Sequence, residues 1–175
     1  MRCIFESIKS KKGRIVNVTS AAGPMFLAGS SKEIKSLLTK HNVTWPEISS
    51  FLKECLKENF YKNQKNKQII GIGDAYGLSK ACANAYTSCL ARENPSLIIN
   101  SCTPGFIETD LTRPYALASG KTPKEMGMKK PEEGVSATIF LLMGHSIGSG
   151  HYYGSDCVRS PLDKYRSPGD PPYTG

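Results

Sequence analysis

Apolar positions fall along the chain in short blocks whose spacing changes several times, and each change marks an element. Gly13-Arg14-Ile15-Val16-Asn17-Val18-Thr19-Ser20 is a β-branched run closed by Ala21-Ala22-Gly23-Pro24, the pattern of a buried strand that ends in a turn. Ahead of it, MRCIFESIKSKK reads as the last turns of a helix with a basic C-terminal end, which suits the helix dipole. From Ser30 to about Lys67 the period becomes helical. Ile34, Leu37 and Leu38 share one face, and Ile48, Phe51, Leu52, Cys55, Leu56 and Phe60 share another. Two amphipathic helices are predicted, the second opened by Thr44 and Glu47 at capping-box spacing with Pro46 in its first turn.

A linker rich in Lys and Asn leads through Gly71-Ile72-Gly73-Asp74-Ala75 into a further helix from about Tyr76 to Arg92. Its small residues Ala81, Ala83, Ala85 and Cys89 permit close approach to a sheet or a neighbouring helix, and Glu93-Asn94-Pro95 ends it. Leu97 to Cys102 forms a second buried strand, followed by Thr103-Pro104-Gly105 and a polar loop of about Glu108 to Lys130. Pro131, with Glu132 and Glu133 in the first turn, opens a helix that is apolar almost all round. A Gly-rich turn then precedes Tyr152-Tyr153-Gly154-Ser155-Asp156, a candidate third strand. From Ser160 the tail holds four of the 11 prolines and reads as extended or disordered. Strands alternating with helices are the grammar of right-handed parallel crossovers, so the predicted class is α/β with a mostly parallel sheet. A sheet that starts at residue 14 leaves one edge of its first strand unpaired.

Composition narrows the function classes. A chain of 175 residues, 39% apolar and 22% charged, suffices for one domain or a large piece of one. The longest apolar run, Ala137 to Met143, falls far short of the roughly 20 residues of a bilayer-spanning helix, and no secretory signal is readable at the start. A cytoplasmic protein without a membrane partner is expected. Cys3, Cys55, Cys82, Cys89, Cys102 and Cys157 lack metal-site spacing and have no His close in sequence, so they read as reduced, mostly buried residues with no metal site. The net charge is +8, yet the eight Lys between residues 32 and 67 are interleaved with four Glu on helix faces. That is a solvated basic surface, and no nucleic-acid partner is expected. Asn17-Val18-Thr19 and Asn42-Val43-Thr44 match the glycosylation pattern, but the first falls at a buried strand end and the expected compartment is wrong for the modification.

Tyr76-Gly77-Leu78-Ser79-Lys80 sets a phenol and an ammonium four residues apart, on one helix face and one turn from each other. A nearby cation favours phenolate, which makes Tyr76 a candidate proton donor near neutral pH. The spacing alone is common among surface pairs. Ser20, at the carboxyl end of the first strand, and the loop Pro104-Gly105-Phe106-Ile107-Glu108-Thr109-Asp110, after the second, support it, because open α/β sheets bind ligands beyond the carboxyl ends of their strands.

These residues together resemble the C-terminal part of a short-chain dehydrogenase/reductase. GRIVNVTSAAG resembles that family's N-x-S-S-x-x-G strand end, YGLSK its Y-x-x-x-K, and PGFIETDL its P-G-x-(V/I)-x-T loop. The resemblance covers about residues 1–158, with a Pro-rich tail over 159–175, and implies a partial Rossmann-like, doubly wound parallel sheet. The interval from Ser20 to Tyr76 is far longer than usual in the family and is filled by a helical insert over about 27–70, which resembles the carbonyl-reductase branch. By that resemblance Ser20 would hydrogen-bond a substrate carbonyl, Tyr76 would deliver the proton, and Lys80 would lower the Tyr76 pKa and bind the cofactor ribose. Ile107 and Thr109 would fix the nicotinamide carboxamide, with Pro104 and Gly105 along the ring. Thr19 stands where the family has its first Ser and keeps a hydroxyl.

The resemblance implies NADPH as cofactor, with NADH also admitted, a small ketone or aldehyde as substrate, and a monomer. The T-G-x-x-x-G-x-G loop and N-N-A-G strand of the family's dinucleotide-binding half do not occur in these residues, and Gly71, Gly73 and Gly77 do not replace them. The expectation is a catalytic half whose cofactor capture needs a complementing N-terminal half, with negligible reduction by the chain alone. The alternative is a catalytically silent interaction module that pairs through its exposed sheet edge.

Overall fold

A computed structural model describes residues 13–57, 72–144 and 147–175. The predicted segments at 1–12 and 58–71, with Cys3 and Phe60, lie outside the described residues. β1 (Arg14–Val18) leads into α1 (Ala22–Gly29), α2 (Lys32–Thr39), α3 (Trp45–Cys55) and the long α4 (Ile72–Glu93). β2 (Ile98–Cys102), α5 (Arg113–Ala118), α6 (Pro131–Gly134), α7 (Ser136–Met143), β3 (Tyr152–Tyr153) and β4 (Arg159–Ser160) follow.

The strands form one sheet in the order β1-β2-β3-β4. β1 pairs with β2 in parallel from Arg14 opposite Ile98 to Val18 opposite Cys102, and β3 joins β2 in parallel with Tyr153 opposite Cys102. β4 turns back antiparallel on β3, so the Tyr152 segment is half of a hairpin as well as a crossover strand. Alternation along β1 and β2 sorts side chains to two faces. Ile15 and Ile99 pack with Leu90 and Ala91 of α4, whereas Val16 and Cys102 pack with Ala137 and Leu141 of α7. This is the α/β class that the patterning predicts.

The main core lies between α4 and the helices inserted after β1. Leu78, Ala81, Cys82, Ala85 and Cys89 of α4 pack with Leu27, Leu38, Val43, Ile48 and Cys55. Each fully buried Leu or Ile contributes about 1.5–3 kcal/mol. Burial pushes the Cys55 thiol up to about 11 and the Cys82 thiol up to about 12, so both stay protonated. The capping box of α3 is present, with the Thr44 N–H donating to Glu47 Oε2 at 2.9 Å and the Glu47 N–H to Thr44 Oγ1 at 3.5 Å.

Four local expectations change. Ala22-Gly23-Pro24 begins α1 instead of a turn, because Pro24 sits in the first helical turn, where its missing N–H is not needed. Leu56, predicted on an apolar face, lies just past the end of α3 and is 84% exposed. The polar loop after β2 contains α5. The tail is anchored at Arg166, which is only 8% exposed, while Ser167 to Gly175 are irregular and exposed. No helix among the described residues is long and apolar enough to cross a membrane.

α1 meets α4 at Gly77, where an added Cβ would lie 2.8 Å from Phe26 Cβ and 3.0 Å from the Ala22 carbonyl oxygen. Gly23 faces the other way across the same contact, against the Lys80–Ala81 backbone. Gly77→Ala should therefore push the helices apart and lower the unfolding free energy by about 1–3 kcal/mol. Denaturant unfolding measures this, and an unchanged midpoint would contradict the close packing.

Candidate active site

The register of the three parallel strands brings their carboxyl ends to one level. Thr19-Ser20, Thr103-Pro104-Gly105 and Gly154-Ser155 therefore leave the sheet side by side. The Thr19 N–H and Oγ1 both donate to the Cys102 carbonyl, at 2.7 and 3.2 Å, so this hydroxyl staples the two strand ends together. Ser20 comes next and turns out of the sheet. Its Oγ accepts the Ala22 N–H at 3.1 Å, which leaves the hydroxyl proton available as a donor. A cavity of about 350 Å³ opens here, walled by Ser20, Thr103, Gly105, Phe106, Tyr165 and Pro168 among others.

α4 carries the second part of the site. Lys80 Nζ lies 5.3 Å from the centroid of the Tyr76 ring, the one-turn neighbourhood that the spacing predicts. Lys80 makes no ion pair among the described residues. Gly77, which touches Ala22 and Phe26, adjoins Tyr76 in sequence, and Ala22 lies two residues from Ser20. Strand tip and the helix bearing Tyr76 and Lys80 are thus tied at one contact. Tyr76 and Lys80 do not line the cavity that holds Ser20; Tyr76 is 37% exposed on the helix surface.

The loop after β2 is the third part. Gly105 has φ of +91°, a conformation that favours glycine, and its N–H donates to Thr103 Oγ1 at 3.1 Å. Ile107 is buried and bridges in parallel to Lys129. Its carbonyl accepts a hydrogen bond from Thr112 Oγ1, and the Thr109 N–H donates to the same hydroxyl oxygen at 2.9 Å. The Ile107 N–H itself has no hydrogen-bond partner among the described residues. Pro104 is half-buried between the strand and this turn.

Two features had no signal in the motifs. Asn84, one turn beyond Lys80, is 2% exposed, and neither polar atom of its amide has a partner among the described residues. It faces Gly23, whose added Cβ would lie 3.1 Å from Nδ2. The tail is the other. Arg166 pairs with Asp156 and carries Tyr165 and Pro168 onto the cavity wall. Burial alone would raise the Asp156 carboxyl, but hydrogen bonds from Arg166 and the Gly169 N–H outweigh it and hold the group below its ordinary 3.8.

No family model matches the chain. It is 31% identical over 145 residues to "Short-chain dehydrogenase/reductase 1" of Saponaria officinalis, which covers 82% of this chain and 44% of that protein. It is 25% identical over 142 residues to carbonyl reductase (NADPH) 3 of Rattus norvegicus, over 78% of this chain and 47% of that protein. The structure of salutaridine reductase from Papaver somniferum superposes with a TM-score of 0.60 at 29% identity, over 80% of this chain and 44% of that one. The chain thus spans less than half the length of these relatives, and its sheet and helices match part of their Rossmann-like fold.

Acidification probes the tail anchor. Because the folded-state value of Asp156 is depressed, its contribution to stability is complete above 3.8 and is lost as pH falls through the lower folded-state value. The protection factor of the Gly169 amide, taken against the intrinsic rate at each pH, should fall over that acid range, and in Arg166→Gln it should be lower already at neutral pH; protection that persists unchanged through the acid range would contradict the anchor.

Proposed function

This chain belongs to the short-chain dehydrogenase/reductase family, and we propose that it supplies the carbonyl-activating face of an oxidoreductase that reduces a ketone or aldehyde to the alcohol with NADPH. The observation that supports the reading is the close contact at Gly77, which seats the helix bearing the Tyr76–Lys80 pair against α1, a helix that begins two residues after Ser20.

Ser20 donates its hydroxyl proton in a hydrogen bond to the substrate carbonyl oxygen, polarising the bond as negative charge develops there. Tyr76 gives its phenolic proton to that oxygen as the alcohol forms. The Lys80 ammonium, 5.3 Å from the centre of the Tyr76 ring, offsets the negative charge left on the phenol. The residues also fit a nicotinamide group. A carboxamide presents an acceptor oxygen, and Ile107 offers an N–H with no partner among the described residues, on a loop that Thr112 holds rigid. Pro104, Gly105 and Thr109 would border the same group, and Lys80 would reach its ribose. The cofactor, when bound, supplies the hydride. A complementing N-terminal half would hold its adenine end.

A second reading, an interaction module, is favoured by one surface. β1 has no neighbour on its outer edge among the described residues, and Ile139, Leu142 and Met143 of α7 are exposed. The two readings are compatible if that surface receives the complementing half.

Turnover decides the first reading. With the glycine-rich dinucleotide-binding half of a related reductase supplied, NADPH consumption with an aromatic ketone should fall about 10²–10⁴-fold in Tyr76→Phe. Ser20→Ala should cost about 10²–10³-fold. Wild-type rates in Tyr76→Phe, with an unchanged melting midpoint, would falsify the assignment.

A further inference from the structure

A second cavity, of about 620 Å³, is walled off from Ser20. The two cavities share only Tyr152 and Ser160, which stand opposite each other in the β3–β4 ladder. The second one opens where the turn after α2, the end of α4 and the segment after β4 meet, and Leu38, Val43, Ala91 and Leu162 make its floor apolar. Its hydroxyls already give their protons to backbone carbonyls. Thr39 donates to Lys35 at 2.8 Å, Ser88 to Gly150 at 2.9 Å, Ser149 to Leu97 at 3.3 Å and Ser160 to Val158 at 3.1 Å. Two of its cations are engaged as well, for Lys40 pairs with Glu47 and Arg92 donates to the carbonyls of His41 and Val43.

Arg159 is different. It is half-buried on the wall of this cavity, and its guanidinium makes no hydrogen bond or ion pair among the described residues. Asp163 and the Gly175 carboxylate stand on the same wall, and neither pairs with it. Its Cζ lies 5.5 Å from the centroid of the Tyr173 ring, a contact that holds the group without using its N–H donors. The Tyr173 N–H in turn donates to the Arg159 carbonyl at 3.2 Å. Burial and the positive charge of Arg159 both hold the His151 imidazole below its ordinary 6.5, so this neighbour is neutral at pH 7. A guanidinium with its donors unused matches a carboxylate or phosphate in two parallel hydrogen bonds. The cavity volume falls within the range of about 300–1,000 Å³ of small-molecule sites.

We propose that this cavity is a second ligand site for a small organic anion, whose carboxylate or phosphate head pairs with Arg159 while its apolar body lies against Leu38, Ala91 and Leu162. The assignment is independent of the carbonyl-reducing reading, since it needs neither a cofactor nor a complementing half.

Titration calorimetry on the full chain tests it, with naphthoate, naphthyl phosphate, inorganic phosphate and the neutral naphthylmethanol as probes. The better of the two aromatic anions should bind about tenfold more tightly than naphthylmethanol, and inorganic phosphate more weakly than naphthyl phosphate because it lacks the apolar body. Preference for naphthoate assigns a carboxylate ligand, and preference for naphthyl phosphate a phosphate ester. Arg159→Gln should weaken the preferred anion about tenfold at an unchanged melting midpoint and leave naphthylmethanol unaffected. Lys57→Gln, which removes an exposed cation outside the cavity, should change nothing. The ring-proton resonances of His151 should move as the anion binds.

The proposal is overturned by equal binding of the aromatic anions and naphthylmethanol, by wild-type affinity in Arg159→Gln, or by an equal loss in Lys57→Gln, which marks diffuse attraction to a basic surface. Failure of both aromatic anions to bind, or binding that leaves the His151 resonances in place, overturns it too. Should Arg159→Gln fail to fold, the comparison of charged and neutral probes on the wild-type chain, with the His151 resonances, decides.

Discussion

Every part of the site depends on β1 and β2 ending at the same level, and a pair of hydrogen bonds from one residue enforces that. Thr19 closes the ladder by directing both its N–H and its hydroxyl to the Cys102 carbonyl. With those donors engaged, the chain can turn out of the sheet only after Thr19, which puts Ser20 at the rim. A one-residue slip would exchange the faces of the strand, bury Ser20 and turn Val16 from α7 toward α4. Register here is a chemical constraint as well as a packing one.

The second constraint is distance between helices. α4 presents small residues along its buried side, and Gly77 and Gly23 remove the last side chains that would hold α1 away. Because α1 begins two residues after Ser20 and Gly77 follows Tyr76, the same contact that packs the core sets the strand tip against the helix that bears the phenol and the ammonium. Core and chemistry share one interface. The Asn84 amide, which has no partner among the described residues, lies buried in that interface beside Gly23.

Much of this was legible from residue order. The β-branched run at Ile15 to Val18, the capping box at Thr44 and Glu47, and the one-turn spacing of Tyr76 and Lys80 are local patterns, and the structure reproduces each, except that β1, predicted as a buried strand, is only partly buried and leaves Val18 52% exposed because it has no neighbour on its outer edge among the described residues. Ala22-Gly23-Pro24 misled because Pro and Gly serve turns and first helical turns alike, and only the packing of Phe26 and Leu27 decides between them. The tail misled for a different reason. Proline content argues against regular structure, and regular structure is indeed sparse there, but lack of regularity is not lack of order when a buried guanidinium gathers the backbone around it.

What residue order determined, then, was whatever depends on neighbours within a turn or a strand: the elements, the caps, the strand tip that carries Ser20 and the pairing of Tyr76 with Lys80. What tertiary structure alone decided was which of these meet. The α1–α4 contact at Gly77, the convergence of three strand ends, and the placement of Tyr165 and Ser20 on the wall of one cavity join positions far apart in the chain. Their physical cause is shape and hydrogen-bond geometry in three dimensions, which no local period encodes.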